Sequence, residues 1–117
     1  MEYIYIGKIV NTHGIKGELR IISDFEYKER IFQKGFNLYI GKDKIKEEIN
    51  TYRHHKEFEM VTFNEYNNIN QVLKYLKENV YVLKEDLNLK DDEYLEKELI
   101  GFDVVENDKV VGKVINI

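Results

Sequence analysis

Residues 3–22 constrain the fold more than any other stretch of this 117-residue chain. They run Tyr3-Ile4-Tyr5-Ile6-Gly7-Lys8-Ile9-Val10, then Asn11-Thr12-His13-Gly14-Ile15-Lys16-Gly17, then Glu18-Leu19-Arg20-Ile21-Ile22. Side chains of an extended chain alternate between two faces, so apolar residues at every second position mark a half-buried strand. Ile4, Ile6 and Val10 against Tyr3, Tyr5 and Ile9 follow that period, as do Leu19 and Ile21 against Arg20 and Ile22. Gly14 and Gly17 supply the bend or positive φ that only glycine adopts without steric cost. Gly7 is read with them as a residue of backbone geometry. The pattern predicts a β-ribbon of strands 3–10 and 18–23, joined by a glycine turn that carries His13.

The rest of the chain continues in short strands. The apolar runs predict strands at 36–40, 44–53, 58–63 and 80–83, with Ile45 and Ile49 facing inward on the second of these. Arg53-His54-His55-Lys56 reads as a polar turn. Residues 24–32 read as a short helical turn or loop behind a capping Asp24. Residues 67–79 read as the one helix, capped by Asn68 or Asn70, with Val72, Leu73, Tyr75 and Leu76 as its apolar face. Six strands and one short helix predict a mainly β fold, a small closed barrel with the helix across one end; closure removes exposed sheet edges.

Charge divides the chain. Residues 1–85 hold fourteen Lys or Arg against thirteen Asp or Glu, whereas residues 86–117 hold four against nine. We read 1–84 as the barrel domain, 85–97 as an acidic linker, and 98–117 as the start of a second β unit bent at Gly101 and Gly112. One hairpin cannot bury a core alone. The second unit is therefore read as incomplete, with Val104, Val110, Val114 and Ile117 as a self-association surface. The acidic tail suits a basic partner, and equally it suits plain solvation.

Several chemistries are disfavoured. There are no cysteines, hence no disulfides or thiolate sites, as in a reducing compartment. The N-terminus lacks the basic head and apolar run of a secretion signal, and no apolar run matches a bilayer, so a cytoplasmic location is expected. His13 has no Ser, Cys or Asp arranged beside it, which favours a structural or RNA-facing role over general-base work. His54 and His55 are adjacent and point to opposite faces, which defeats chelation. Gly7, Gly14 and Gly17 do not form a phosphate cradle, because no helix and no Gly-Lys-Ser/Thr follows. No catalytic residue, metal or cofactor is expected. Lys8, Lys16, Arg20 and Arg53 are candidates for a basic surface near the first hairpin, with strand alternation placing Lys16 near Arg20; a solvated face is the commoner explanation. Tyr3, Tyr5, Tyr39, Tyr52 and Tyr81 read as half-buried barrel staves rather than base-stacking platforms. Tyr94, in the acidic linker, is the aromatic residue best placed for a partner contact.

The combination Gly7-x-Ile9-x-x-x-His13-Gly14-Ile15-Lys16-Gly17-Glu18 resembles the opening of the RimM family of bacterial ribosome maturation factors. The likeness continues through Ser23-Asp24-Phe25, Arg30-Ile31-Phe32, the Arg53-His54-His55 segment and Val80-Tyr81-Val82. It ends in Leu99-Ile100-Gly101-Phe102-x-Val104 with Gly112-Lys113-Val114, similar to the opening of a PRC barrel. Glu93-Tyr94-Leu95-Glu96 keeps only the first tyrosine of an aromatic cluster common in the family. The resemblance implies a translation-protein-type barrel followed by a truncated PRC barrel. It also implies a non-enzymatic role in maturing the head of the small ribosomal subunit and its 16S rRNA. The implied partners are the immature particle and a head ribosomal protein, small-subunit protein nineteen. A β-barrel protein-interaction module without an RNA role is the second reading.

Overall fold

The computed structural model describes residues 2–93 and 95. Six strands form β1 (Tyr3–His13), β2 (Glu18–Ile22), β3 (Asn37–Ile40), β4 (Ile45–His55), β5 (Phe58–Phe63) and β6 (Asn79–Leu83). All pairings are antiparallel, and the order β1-β2-β5-β4-β3-β6 closes on itself as a barrel. The chain divides into two compact units at Leu87, and the six strands described lie in the first. Tyr94, Gly101, Gly112 and the expected hairpin at 98–117 lie outside the described residues.

The alternation read from the sequence builds the core. Leu19 and Ile21, Leu38 and Ile40, Val61 and Phe63, and Val80 and Val82 point inward, each at most 1 % exposed. Each such burial contributes roughly 1.5–3 kcal/mol before ordering costs. In β1 the register slips between Tyr5 and Gly7 and again between Ile9 and Asn11. These bulges overturn the simple alternation: Ile9 is fully buried and Val10 is only half-buried. Gly7 is no turn residue. It lies buried inside β1, where a Cβ would come within 2.4 Å of the Ile22 carbonyl oxygen.

Other boundaries also move. β1 extends to His13, so the histidine ends a strand rather than sitting in the turn. β4 runs to His55 and joins β5 through Lys56-Glu57 alone, so Arg53, His54 and His55 are strand residues. Ile45 is 43 % exposed at the start of β4; the inward positions are Glu47 and Ile49. The turn expected at 24–32 holds one short helix, α1 (Lys28–Ile31).

The helix expected at 67–79 is absent. Two 3₁₀ turns, Ile69–Gln71 and Leu73–Tyr75, take its place, and Leu76 is already extended. Val72 and Tyr75 are buried while Leu73 is 46 % exposed. A buried pair three residues apart fits three residues per turn, so one narrow stripe is satisfied by 3₁₀ geometry.

A buried carboxylate lies at each end of β4, Glu47 on β4 itself and Glu59 on the neighbouring β5. Glu47 accepts hydrogen bonds from the hydroxyls of Tyr66 (2.8 Å) and Tyr75, which ties the 3₁₀ segment to the barrel. Glu59, paired with His54, accepts from Tyr52 Oη (2.6 Å), His54 Nδ1 and Lys28 Nζ (3.1 Å), which ties α1 to the other end of β4. Burial raises the pKa of Glu59, but these three donors outweigh it and hold the carboxyl below its ordinary range. Burial, with Glu59 beside it, pushes Tyr52 up to about 12.

Candidate functional site

The segment that stood out in the sequence forms the β1–β2 connection, Gly14-Ile15-Lys16-Gly17. Gly14 and Gly17 adopt φ of +71° and +93°, which strains any residue with a side chain. The loop is also held from outside its own hairpin. The Ile69 amide donates to the Ile15 carbonyl at 2.8 Å. Gly17 lies so near Asn68 that a Cβ would meet its carbonyl oxygen at 3.2 Å. Gln71 Oε1 accepts from the amides of Asn67 and Asn68 and fixes that segment in turn. On this support the Ile15 side chain stands 76 % exposed. Beside it runs an open groove of about 600 Å³, lined by His13, Ile15, Lys16, Thr51, Thr62 and Asn67 among others.

The outer surface of β1, β2, β5 and β4 continues from the loop. Pairing places Lys8 with Ile22, Asn11 with Arg20 and His13 with Glu18 as outward rungs of β1 and β2. Arg53 reaches across from β4 and grips Glu18 with two bonds, Nε and Nη2 each at 2.9 Å. That bidentate bond is the main reason the Glu18 carboxyl titrates below its ordinary range. Arg20 Nη2 donates to His13 Nδ1 at 2.7 Å, and its guanidinium stacks 5.3 Å from the centre of Phe58. A guanidinium has no lone pair to offer, so His13 Nδ1 accepts and the ring proton resides on Nε2. The His55 ring lies 6.3 Å from His13.

His13, Arg20 and Arg53 therefore share one face around Glu18, and Lys8 sits on the same outer ladder two rungs from Arg20. Lys16 does not follow the alternation expected of it, because it belongs to the turn. Glu18, His55, Phe58 and Ile15 complete the face and were not among the contact candidates read from the sequence. An isoleucine between two turn glycines, with no strand to place it in a core, was the available signal for Ile15. The chemistry on offer is presentation: cations, a donor Nε2–H and an exposed apolar tip on a fixed frame. The base position of His13 is engaged by Arg20, and no group of three potential metal ligands clusters among the described residues. No helix among those residues is long and apolar enough to cross a membrane.

Comparison with known proteins bears on the family and the fold. The family model of the RimM N-terminal domain matches residues 4–87. A ribosome maturation factor RimM from Exiguobacterium is 41 % identical over 117 residues, covering 97 % of this chain and 68 % of that protein. A second, from Ligilactobacillus salivarius, is 46 % identical over 112 residues, covering 92 % and 66 %. This chain thus spans about two thirds of either relative's length. The fold is similar to the solution structure of the RimM N-terminal domain from Thermus thermophilus, with a TM-score of 0.63 at 17 % identity over 74 % of this chain and 95 % of that one. A crystal structure of RimM from Pseudomonas aeruginosa also scores 0.63, at 16 % identity over 80 % and 56 %.

Proposed function

The chain belongs to the RimM family, and on that premise we propose that it is a maturation factor of the small ribosomal subunit that acts by binding rather than by catalysis. The observation that carries this reading is the β1–β2 loop. Its two left-handed glycines and its bond from Ile69 hold Ile15 and Lys16 outward, beside the His13–Arg20 and Glu18–Arg53 pairs. A preorganised surface loses little conformational entropy on docking, which is what a contact site requires. The contact is with the pre-ribosomal particle and its 16S rRNA, and Lys8, His13, Lys16, Arg20 and Arg53 are the residues that make it. By binding only the correctly folded subunit head, the protein raises the population of that fold by mass action. Residues 85–97, with Tyr94, and residues 98–117 belong to the arm that meets a head ribosomal protein (small-subunit protein nineteen), and the work is cytoplasmic.

Sedimentation of the chain with immature and mature small subunits, at low and moderate salt, tests this. Preferential association with the immature particle, weakening as salt rises, is expected. A chain that pellets with neither particle, but captures a protein partner after nuclease treatment, is instead a protein-interaction module.

A further inference from the structure

The two arginines of the Ile15 face are not equally available. Arg20 donates through Nη2 to His13 Nδ1, an uncharged acceptor, so its own charge stays uncompensated. Arg53 differs: its Nε and Nη2 both bond the Glu18 carboxylate at 2.9 Å, and the two charges cancel. Among the described residues assigned to this face, Glu18 is the one anion. It opens β2 directly after Gly17 and pairs with His13 across the hairpin, so the loop that fixes Gly17 also fixes where the carboxylate stands. There it lines the groove beside Ile15, together with Lys16, Thr51 and Thr62.

Side chains from two strands converge on this one anion. Arg53 of β4 contributes most to holding the Glu18 carboxyl below its ordinary range, and His13 of β1 and His55 of β4 add to the effect. A point where donors and positive charge converge suits an anion, and here the protein's own carboxylate fills it. A guanidinium meets a phosphate with the same two-pronged geometry that it uses for a carboxylate. The pair is also open to exchange. The Arg53 side chain is 51 % exposed, and an ion pair at the surface contributes little to stability.

We propose that Glu18 stands in for an RNA phosphate, and that Arg53 exchanges this carboxylate for a phosphate when the face docks. This rests on the reading of the face as the contact with the pre-ribosomal particle. The exchange makes Glu18 a specificity-determining residue. A phosphate that arrives at Arg53 alone must first displace the carboxylate, so RNA that fits nowhere else on the face is disfavoured. An RNA surface that also meets Ile15, Lys16 and Arg20 gains enough elsewhere to offset the broken pair.

The test is a double-mutant cycle on the whole chain, with wild type, Glu18→Gln, Arg53→Ala and the double variant. Each is co-sedimented with immature small subunits over a concentration series at one fixed salt concentration. Glu18→Gln keeps the size of the side chain and removes its charge, and is expected to bind about threefold tighter. In the Arg53→Ala background the same substitution gains little, because no pair is left to break. Glu57→Gln removes one charge from the exposed turn between β4 and β5 and changes binding less than Glu18→Gln. Glu18→Ala repeats the order of affinities with no side-chain acceptor, and melting curves check that each variant is folded. A gain from Glu18→Gln that is as large without Arg53 as with it overturns the proposal and leaves Glu18 a source of plain repulsion. A loss of affinity in Glu18→Gln overturns it as well, making Glu18 the group that positions Arg53. In both cases the contact reading stands, because the wild type binds. If wild type and variants alike fail to bind, that reading falls and the exchange falls with it.

Discussion

The two buried carboxylates solve one problem in different ways. Glu59 is surrounded by a tyrosine, a histidine and a lysine, whose hydrogen bonds, with the Lys28 charge beside them, hold its carboxyl below the ordinary range. Glu47 meets two tyrosine hydroxyls, which are neutral donors. Glu59 anchors α1, whereas Glu47 anchors the 3₁₀ segment that supports the Ile15 loop. A charged cluster depends on the charge itself, while a tyrosine cluster depends mainly on having an oxygen acceptor. The end that supports the Ile15 loop thus relies on neutral hydrogen-bond donors alone, and the other end adds the Lys28 ion pair.

That contrast is open to direct attack. Glu59→Gln removes the carboxylate that Lys28 and His54 share and costs about 2 kcal/mol in urea denaturation. Glu47→Gln leaves an oxygen for the tyrosines and costs about 1 kcal/mol. If the substitution at 47 proves the more damaging, the contrast is wrong. Tyr75→Phe costs about 1.5 kcal/mol, and it also speeds hydrogen exchange at the Ile69 amide, which donates to Ile15; the same amide is indifferent to Glu59→Gln.

The acid limb of stability sharpens the comparison. The folded pKa of Glu59 lies below its unfolded value, so its contribution is complete above the ordinary carboxylate range, near pH 4.3, and is lost as pH falls through the folded value. Glu18 behaves in the same way through its bonds to Arg53. A pH series of urea midpoints therefore declines less steeply for Glu59→Gln than for the wild type. An unchanged slope would show that Glu59 is not held ionised by its cluster. The smallest effect is at Arg53→Ala, whose exposed side chain leaves the midpoint where it was at neutral pH while flattening the portion of the acid limb due to Glu18.

Much of the barrel was legible because inward positions of β2, β3, β5 and β6 are simple apolar alternations. β1 and β4 were less so, since bulges at Gly7, Ile9 and Ile49 change the face without leaving a composition signal. The burial of Glu47 and Glu59 was not legible, because nothing local reveals that donors from other elements, such as Tyr66, Tyr75 and Lys28, will satisfy them. The 3₁₀ segment was read as a helix because Leu73 and Leu76 seemed to widen its apolar face; packing uses only Val72 and Tyr75. At the candidate site, His13, Arg20 and Arg53 were visible as cations near a hairpin. Their arrangement around Glu18 depended on β4 lying beside β5, which pairing decides and spacing does not.

The central claim is that the glycine-framed loop is a contact surface and not only a turn. Ile15→Asp tests it most directly, since a side chain 76 % exposed carries little of the fold. The account predicts that this variant melts with the wild type yet no longer co-sediments with immature small subunits. Undiminished association of a folded Ile15→Asp chain would contradict it.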